Sequence, residues 1–246
     1  MIQSYRSLWA VIMLALATCT ATASAATVLV QFDPAYSTPI RVDRTVDSGS
    51  SWYLQDPGQF HFITQAGSPA NVPASFYTFC IEPREFVNPG AFYAYNEVPI
   101  EQGNTLIGGM GATKANFIRE LLYRYYPDFS VRVDAKTGAA IQTSLWEIVR
   151  ENSGTFDLAA GSVQFRSWSD TAVRDLSASM LAGLTGNGPY LTNVDALIIS
   201  GGTQDTLVQV STPEPSSILL SATGLILLAF GSRLRAVKPT AGNDEA

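Results

Sequence analysis

Histidine and cysteine are almost absent from this chain. Its 246 residues include one histidine and two cysteines, and 21 Asp and Glu stand against 15 Lys and Arg. So few nitrogen and sulfur ligands exclude an ordinary His/Cys zinc site, and the acidic residues lack the spacing of an EF-hand loop. The formal net charge of −6, without any basic block, argues against nucleic acid as a partner. We therefore expect no metal and no cofactor.

The N-terminus has the pattern of a secretory signal peptide. Arg6 precedes a ten-residue apolar run, and small residues then lead to an A-x-A pattern that ends at Ala25. We predict that residues 1–25 are the signal peptide and that cleavage follows Ala25. This cleavage removes Cys19 and leaves Cys80 as the one cysteine of the mature protein, so we expect no intramolecular disulfide.

The C-terminal segment combines a proline pair, an apolar run and a basic end. An uncharged run from Ile218 to Phe230 follows Pro215, and because proline cannot sit inside a helix it limits where an apolar helix begins. Counted through Ser232, such a helix is about 22 Å long, short for a hydrocarbon core of ~30 Å unless arginines extend it by snorkelling. The basic end is expected to stay cytoplasmic, which puts the preceding body outside. The defining residues are Pro213, Glu214, Pro215, Arg233, Arg235 and Lys238.

This segment closely resembles the PEP-CTERM sorting signal of Gram-negative bacteria. The resemblance implies that an exosortase is a partner, that the chain is held at the cell-envelope membrane, and that it is then cleaved near the Pro-Glu-Pro triad. We assign residues 213–238 to the sorting signal and transmembrane anchor, and residues 239–246 to a polar tail. A plain membrane anchor is the alternative interpretation. Both interpretations export the body, toward the cell surface or the extracellular matrix.

The body, residues 26–212, is predicted to be one exported α+β domain. Residues 26–107 are mainly β, because short runs of β-branched and aromatic residues alternate with Asp-Pro, Pro-Gly and Gly-Ser pairs. Residues 108–188 are mainly helical, since their apolar residues recur at i, i+4 spacing. Residues 189–212 return to β as a hairpin across Gly201 and Gly202 that rejoins the first sheet. Strands are predicted at 27–32, 52–54, 59–64, 75–81, 91–96, 194–200 and 206–211, and helices at 115–126, 138–151 and 170–184.

These elements favour an antiparallel β-sandwich or β-barrel with an inserted subdomain of about three helices. An N-terminal signal helix and a C-terminal transmembrane helix complete the predicted fold class.

Two short stretches of the body carry the candidate chemistry. Phe79-Cys80-Ile81-Glu82-Pro83 ends a predicted strand, and a run from Ala139 to Glu147 opens a predicted helix. Together they resemble the thioester domains of bacterial surface adhesins, which carry an aromatic-Cys strand and a later Thr-Gln-x-Ala-Ile-Trp helix. The resemblance implies that Cys80 and Gln142 condense into an internal thioester with loss of ammonia. Trp146 also matches the motif, whereas Ile141, Ser144 and Leu145 depart from it.

A thioester must be shielded from water until an amine or hydroxyl attacks it. Phe76, Phe79 and Trp146 are the candidate shield. We expect the Gln142 carbonyl to face the positive end of its own helix, whose N–H groups then stabilise the oxyanion. In the alternative interpretation Cys80 is a buried core thiol and Gln142 hydrogen-bonds a loop.

The sequence also allows two other pairs of catalytic residues. His61, the only histidine, is a conceivable nucleophilic partner for Cys80. Glu82 and Glu85 are conceivable glycosidase carboxylates. The function predicted from the sequence is nevertheless a non-enzymatic surface or biofilm-matrix protein, a thioester adhesin for an amine-bearing surface ligand or an exopolysaccharide. The alternatives are a passive matrix protein and a secreted polysaccharide hydrolase.

Overall fold

The computed structural model describes residues 26–33, 40, 42–45, 51–104, 107–165 and 171–211. The predicted signal peptide and the sorting signal, including Pro213, Glu214, Pro215, Arg233 and Arg235, lie outside these residues. Among the helices that are described, none is long and apolar enough to cross a membrane. The described part is a mixed α+β structure built on one large sheet.

Six strands form the large sheet, and all their pairings are antiparallel. The sheet nearly closes into a barrel, because Cys80, just after the strand at one edge of the sheet, forms a bridge with Thr206 in the strand at the other edge. The order across the sheet is β5 (Ser75–Thr78), β4 (Phe60–Thr64), β1 (Thr27–Phe32), β6 (Phe92–Pro99), β8 (Val194–Ile198) and β9 (Thr206–Gln209).

A second sheet has three short strands. The strand β2 (Val42–Thr45) lies between β3 (Tyr53–Gln55) and β7 (Gln164–Phe165). Neither β2 nor β7 was predicted from the sequence. A four-residue strand that contains Asp and Arg and a two-residue strand are too short to show an alternating pattern.

Three helices cover one side of the large sheet: α1 (Gly111–Tyr125), α2 (Ala135–Arg150) and α3 (Thr171–Ala182). The central one is α2, whose residues 138–149 are all buried. Such a helix is enclosed on all sides rather than amphipathic. It begins at an N-cap, Asp134, whose carboxylate accepts the backbone N–H groups of Lys136 and Thr137, each at 3.0 Å.

The core has two layers, one on each face of the sheet. Side chains alternate between them along each strand, so that Leu207 packs with the helices while Val208 faces the barrel interior. The helices therefore share a core with the sheet instead of forming a core of their own. The barrel interior is filled by residues that include Val28, Val30, Phe62, Phe76, Tyr95 and Leu197.

The predicted α+β class is confirmed, and the sheet is barrel-like. The predicted hairpin also forms: β8 pairs with β9 and with β6, and Gly201 and Gly202 adopt the positive φ angles of its turn. The helix starts were predicted less well. The helices α1 and α2 begin four and three residues before their predicted starts, because their first turns carry no apolar residue of the repeating stripe.

Candidate functional site

Cys80 lies two residues after the end of β5, and its backbone N–H and C=O face away from β9. On either side of it, Leu207 N–H donates to Phe79 O at 3.2 Å and Ile81 N–H donates to Asp205 O at 2.9 Å. In an antiparallel ladder, a residue that lies between two such hydrogen bonds points its own N–H and C=O away from the paired strand. The backbone of Cys80 therefore needs another partner.

Gln142 is that partner. Its Oε1 accepts the Cys80 N–H at 2.9 Å, and its Nε2 donates to Cys80 O at 2.7 Å. Both residues are fully buried and stand 62 positions apart in the chain. The fold thus brings the two predicted thioester residues into direct contact, and the covalent bond between them stays a prediction.

The predicted oxyanion donor is wrong. Gln142 lies in the middle of α2, which begins at Ala135, so its carbonyl does not face the helix N-terminus. The hydrogen bond to Oε1 comes instead from the Cys80 backbone. The error follows from taking Gly138 as the start of the helix, which begins three residues earlier.

The Cys80 thiol is enclosed by protein groups. Its Sγ donates to Glu82 O and accepts the Glu82 N–H, both at 3.1 Å. Burial raises the pKa of the thiol to about 12, although the indole N–H of Trp146, the Glu82 backbone and the Arg44 charge act in the opposite direction. The Trp146 N–H lowers the pKa of the thiol by its proximity, although its Nε1 makes no hydrogen bond of ordinary geometry. The thiol is therefore protonated at neutral pH.

Arg44, on β2, is a buried cation beside this thiol. Its Nη2 donates to Pro83 O at 2.8 Å, and its guanidinium carbon lies 3.8 Å from the centre of the Trp146 ring. The Nε and Nη1 atoms are buried without a hydrogen-bond partner. Burial lowers the pKa of Arg44 to about 9. Sequence reasoning missed this residue, because nothing in Val42–Thr45 marks a buried guanidinium.

Three carboxyl groups adjoin the cysteine loop. Glu82 is fully buried and its Oε2 accepts the Asp205 N–H at 3.0 Å, while Asp205 Oδ1 accepts the Ile199 N–H at 3.0 Å. Burial, together with a hydrogen bond to Glu82, raises the pKa of Glu85 to about 7. Glycosidase carboxyl groups stand ~5 Å or more apart to admit a sugar and water. The direct contact of Glu82 with Glu85 does not match that spacing.

His61 is not placed beside Cys80. Its Nδ1 lies 2.8 Å from Asp33 Oδ2, and its ring stacks on Tyr77 with centroids 4.6 Å apart. The thiol makes its contacts with Glu82 instead. The pair of Cys80 with His61 is therefore not formed in this structure.

The three aromatic residues predicted as a shield lie in different places. Trp146 is buried and affects the thiol directly. Phe79 packs edge-on against Tyr126 in the helix-facing layer, whereas Phe76 packs against Phe62 inside the barrel. Water is thus excluded from both faces of the strand end, and Trp146 is the member of the three that acts on the thiol.

Comparison with known proteins gives no relative from which a function could be transferred. No family model, no curated protein and no solved structure matches this chain. In the part of the chain that the structure describes, no three His, Cys, Asp or Glu side chains form a group suited to a metal ion. The contacts around Cys80 and Gln142 are therefore the basis for proposing a function.

Proposed function

We propose that this chain is an exported surface or biofilm-matrix protein that attaches covalently through an internal thioester between Cys80 and Gln142. The observation that carries the proposal is the two-way hydrogen bonding between the Gln142 amide and the Cys80 backbone. It holds the amide against the backbone of the residue that bears the thiol, and such proximity of the two groups favours their reaction.

The reaction balances without any further reactant. The Cys80 sulfur attacks the amide carbon of Gln142, and a new S–C bond replaces the C–N bond. The thiol proton passes to the departing nitrogen, which leaves as ammonia. The Cys80 N–H already donates to Oε1 and so stabilises the negative charge that this oxygen gains during the attack.

Activation of the thiol is the demanding step, because a pKa of about 12 keeps it protonated. Arg44 is the cation that opposes this effect of burial. We expect Arg44→Met to slow thioester formation at least about tenfold, since a nearby charge of this kind is worth about 1.4 kcal/mol or more. Arg44→Lys keeps the charge and should form the bond faster than Arg44→Met. Equal rates for the two variants would remove Arg44 from the mechanism.

Intact mass of the purified protein tests the bond itself. With a thioester, the mass is lower by one ammonia than the sequence requires, and Cys80 resists alkylation until methylamine opens the bond. Cys80→Ala and Gln142→Glu should each abolish the mass deficit. Gln59→Glu is the matched control, because Gln59 is also buried and bonds backbone groups with both ends of its amide. It should keep the deficit.

A passive matrix role is the second candidate, and one observation favours it. Gln142 satisfies both backbone groups of Cys80, which is a sufficient structural reason for a buried amide at this position. A full mass, with free thiol after unfolding, would establish this role and reject the adhesin.

Export and sorting rest on the two chain ends. Deleting residues 218–238 should release the body from the membrane, because these residues contain the apolar run and its basic end. Membrane association that survives the deletion would show that the anchor lies elsewhere. Surface protein that still contains Arg233 would contradict cleavage near Pro213–Pro215.

A further inference from the structure

A cavity of about 350 Å³ opens beside the cysteine site, with Trp146 in its wall. This volume lies in the ~300–1,000 Å³ range of small-molecule pockets. The wall is aromatic, and it includes the rings of Phe32, Phe60 and Phe86. Phe86 is 60% exposed, so its ring is accessible to a ligand in the cavity.

The polar part of the cavity wall includes two buried acceptor atoms without a hydrogen-bond partner. Gln204 is only 4% exposed, lines the cavity, and has no hydrogen-bond partner for Oε1. Gln55 lines it too, and its Oε1 is likewise buried and unpaired. Asp56 adds carboxylate oxygens to the same wall. A buried acceptor without a partner is unfavourable, so a ligand that supplies donors to these oxygens relieves that cost.

Two opposite charges flank the cavity: the Asp56 carboxylate in its wall and the Arg44 guanidinium behind Trp146. The Arg44 guanidinium lies 3.8 Å from the centre of the Trp146 ring, and its charge has no hydrogen-bonded carboxylate among the described contacts. The two charges have opposite signs, so neither an ammonium nor a carboxylate group on a ligand is favoured by both of them, and a neutral ligand fits best. Hydroxyl groups carry donors without charge, and they suit the amide oxygens of Gln55 and Gln204.

We propose that this cavity binds a neutral sugar unit of a polysaccharide. Hydroxyl groups donate to the oxygens of Gln204 and Gln55, while the C–H face of the sugar packs on the aromatic wall. Binding here is non-covalent and does not depend on the thioester, so the site stands even if Cys80 and Gln142 remain unlinked.

Calorimetric titration of the purified protein with cellotetraose and with chitotetraose tests the site. At least one of these neutral probes should bind, and Gln204→Leu should weaken it about tenfold, equivalent to about 1.4 kcal/mol. Gln55→Leu, a second variant, should weaken it in the same direction. Tyr123→Ser is the control, since Tyr123 is a half-exposed residue of α1 that does not line the cavity.

The outcomes separate this inference from the thioester. Cys80→Ala should bind the sugar as the unchanged protein does, whether or not a thioester forms. No binding of either tetrasaccharide, or unchanged affinity in folded Gln204→Leu and Gln55→Leu, would overturn the site. Tighter binding of a glucosamine tetramer than of both neutral probes would overturn its preference for neutral sugars.

Discussion

Gln59 and Gln142 are two buried glutamines that make the same kind of contact in different places. Gln59 accepts the Val133 N–H at 2.9 Å and donates to Val131 O at 3.4 Å. Gln142 binds the backbone of Cys80 in the same way, with the same Oε1 distance of 2.9 Å and a shorter Nε2 distance of 2.7 Å. Both amides join distant segments of the fold. Their hydrogen bonds alone do not show which of the two has a function beyond structure.

Their surroundings differ. The Gln142 amide lies beside a thiol, with Arg44 and Trp146 nearby, and both of these carry buried N–H groups without a partner. Thr206, the bridge partner of Cys80, also has an unpaired buried hydroxyl. Among the described residues, no such atom belongs to Gln59 or to the segment it binds. Unpaired buried polar groups require an explanation, and their concentration around Cys80 marks this glutamine as the functional candidate.

The largest expected effect comes from opening the proposed thioester. Cys80 and Gln142 are 62 residues apart, and a cross-link over a loop of this length constrains the unfolded chain by about 4 kcal/mol. Methylamine treatment should therefore lower the unfolding temperature by roughly 10 °C. Thermal unfolding before and after treatment measures the change. Cys80→Ala should unfold at one temperature under both conditions, and a loss of stability in that variant would assign the effect to the amine rather than to the bond.

The elements of the fold with a repeating pattern were predictable from sequence. The strand Thr27–Phe32 was predicted at its observed bounds, since a run rich in β-branched residues is a strong strand signal. The closing hairpin was predictable because two glycines separate two β-branched runs. The strand β2 was not predictable, and neither was the near-closure of the sheet through Cys80, since a single bridge leaves no pattern in the sequence.

The candidate site was predictable only in part. A resemblance in sequence linked Cys80 with Gln142, and the fold brings them together. The donor to Oε1 was mistaken, because backbone groups freed by strand geometry have no signature in the side chains. Arg44 was missed for a related reason: its importance comes from burial beside Trp146, a contact between residues about a hundred positions apart.

The second prediction concerns Gln59 and tests the structural half of the comparison. Gln59→Ala removes the partner of Val133 N–H and one of the two donors to Val131 O, which keeps its bond from the Tyr126 hydroxyl. The change should cost about 1–2 kcal/mol of unfolding free energy. Chemical denaturation measures it. The ammonia deficit in intact mass should remain, because the Cys80 site is untouched. Loss of the deficit in a folded Gln59→Ala protein would show that the two glutamines are not independent.

The third prediction uses the carboxyl pair that adjoins Cys80. Burial and the hydrogen bond to Glu82 raise the pKa of Glu85 from 4.5 to about 7. The folded state therefore holds a proton that the unfolded state releases, and stability falls as the pH rises from about 4.5 to about 7. Glu85→Gln donates to Glu82 at every pH. It should be more stable than the unchanged protein at pH 8, by about 1 kcal/mol or less after solvent screening.

Denaturation curves between pH 4 and pH 8 measure this effect. Part of the slope should persist in Glu85→Gln, because burial also raises the pKa of Glu147 to about 7 and that of Asp195 to about 6. Asp128→Asn is a control that should leave the slope unchanged, since hydrogen bonds to Ser130 lower the pKa of Asp128 from 3.8 and so place its titration below the measured range. An identical slope in Glu85→Gln and the unchanged protein would mean that Glu85 is ionised throughout the range.

The smallest effect is expected at His61, and it tests whether Cys80 has a second activating group. Asn at position 61 can keep a donor toward Asp33, so the main loss is the stacking on Tyr77, worth about 1 kcal/mol or less. His61→Asn should form the thioester to the same extent, because His61 bonds Asp33 while the thiol bonds Glu82. Intact mass and the rate of methylamine uptake measure both properties. A full mass in a stable His61→Asn protein would mean that histidine, and not Arg44, promotes attack by the Cys80 sulfur.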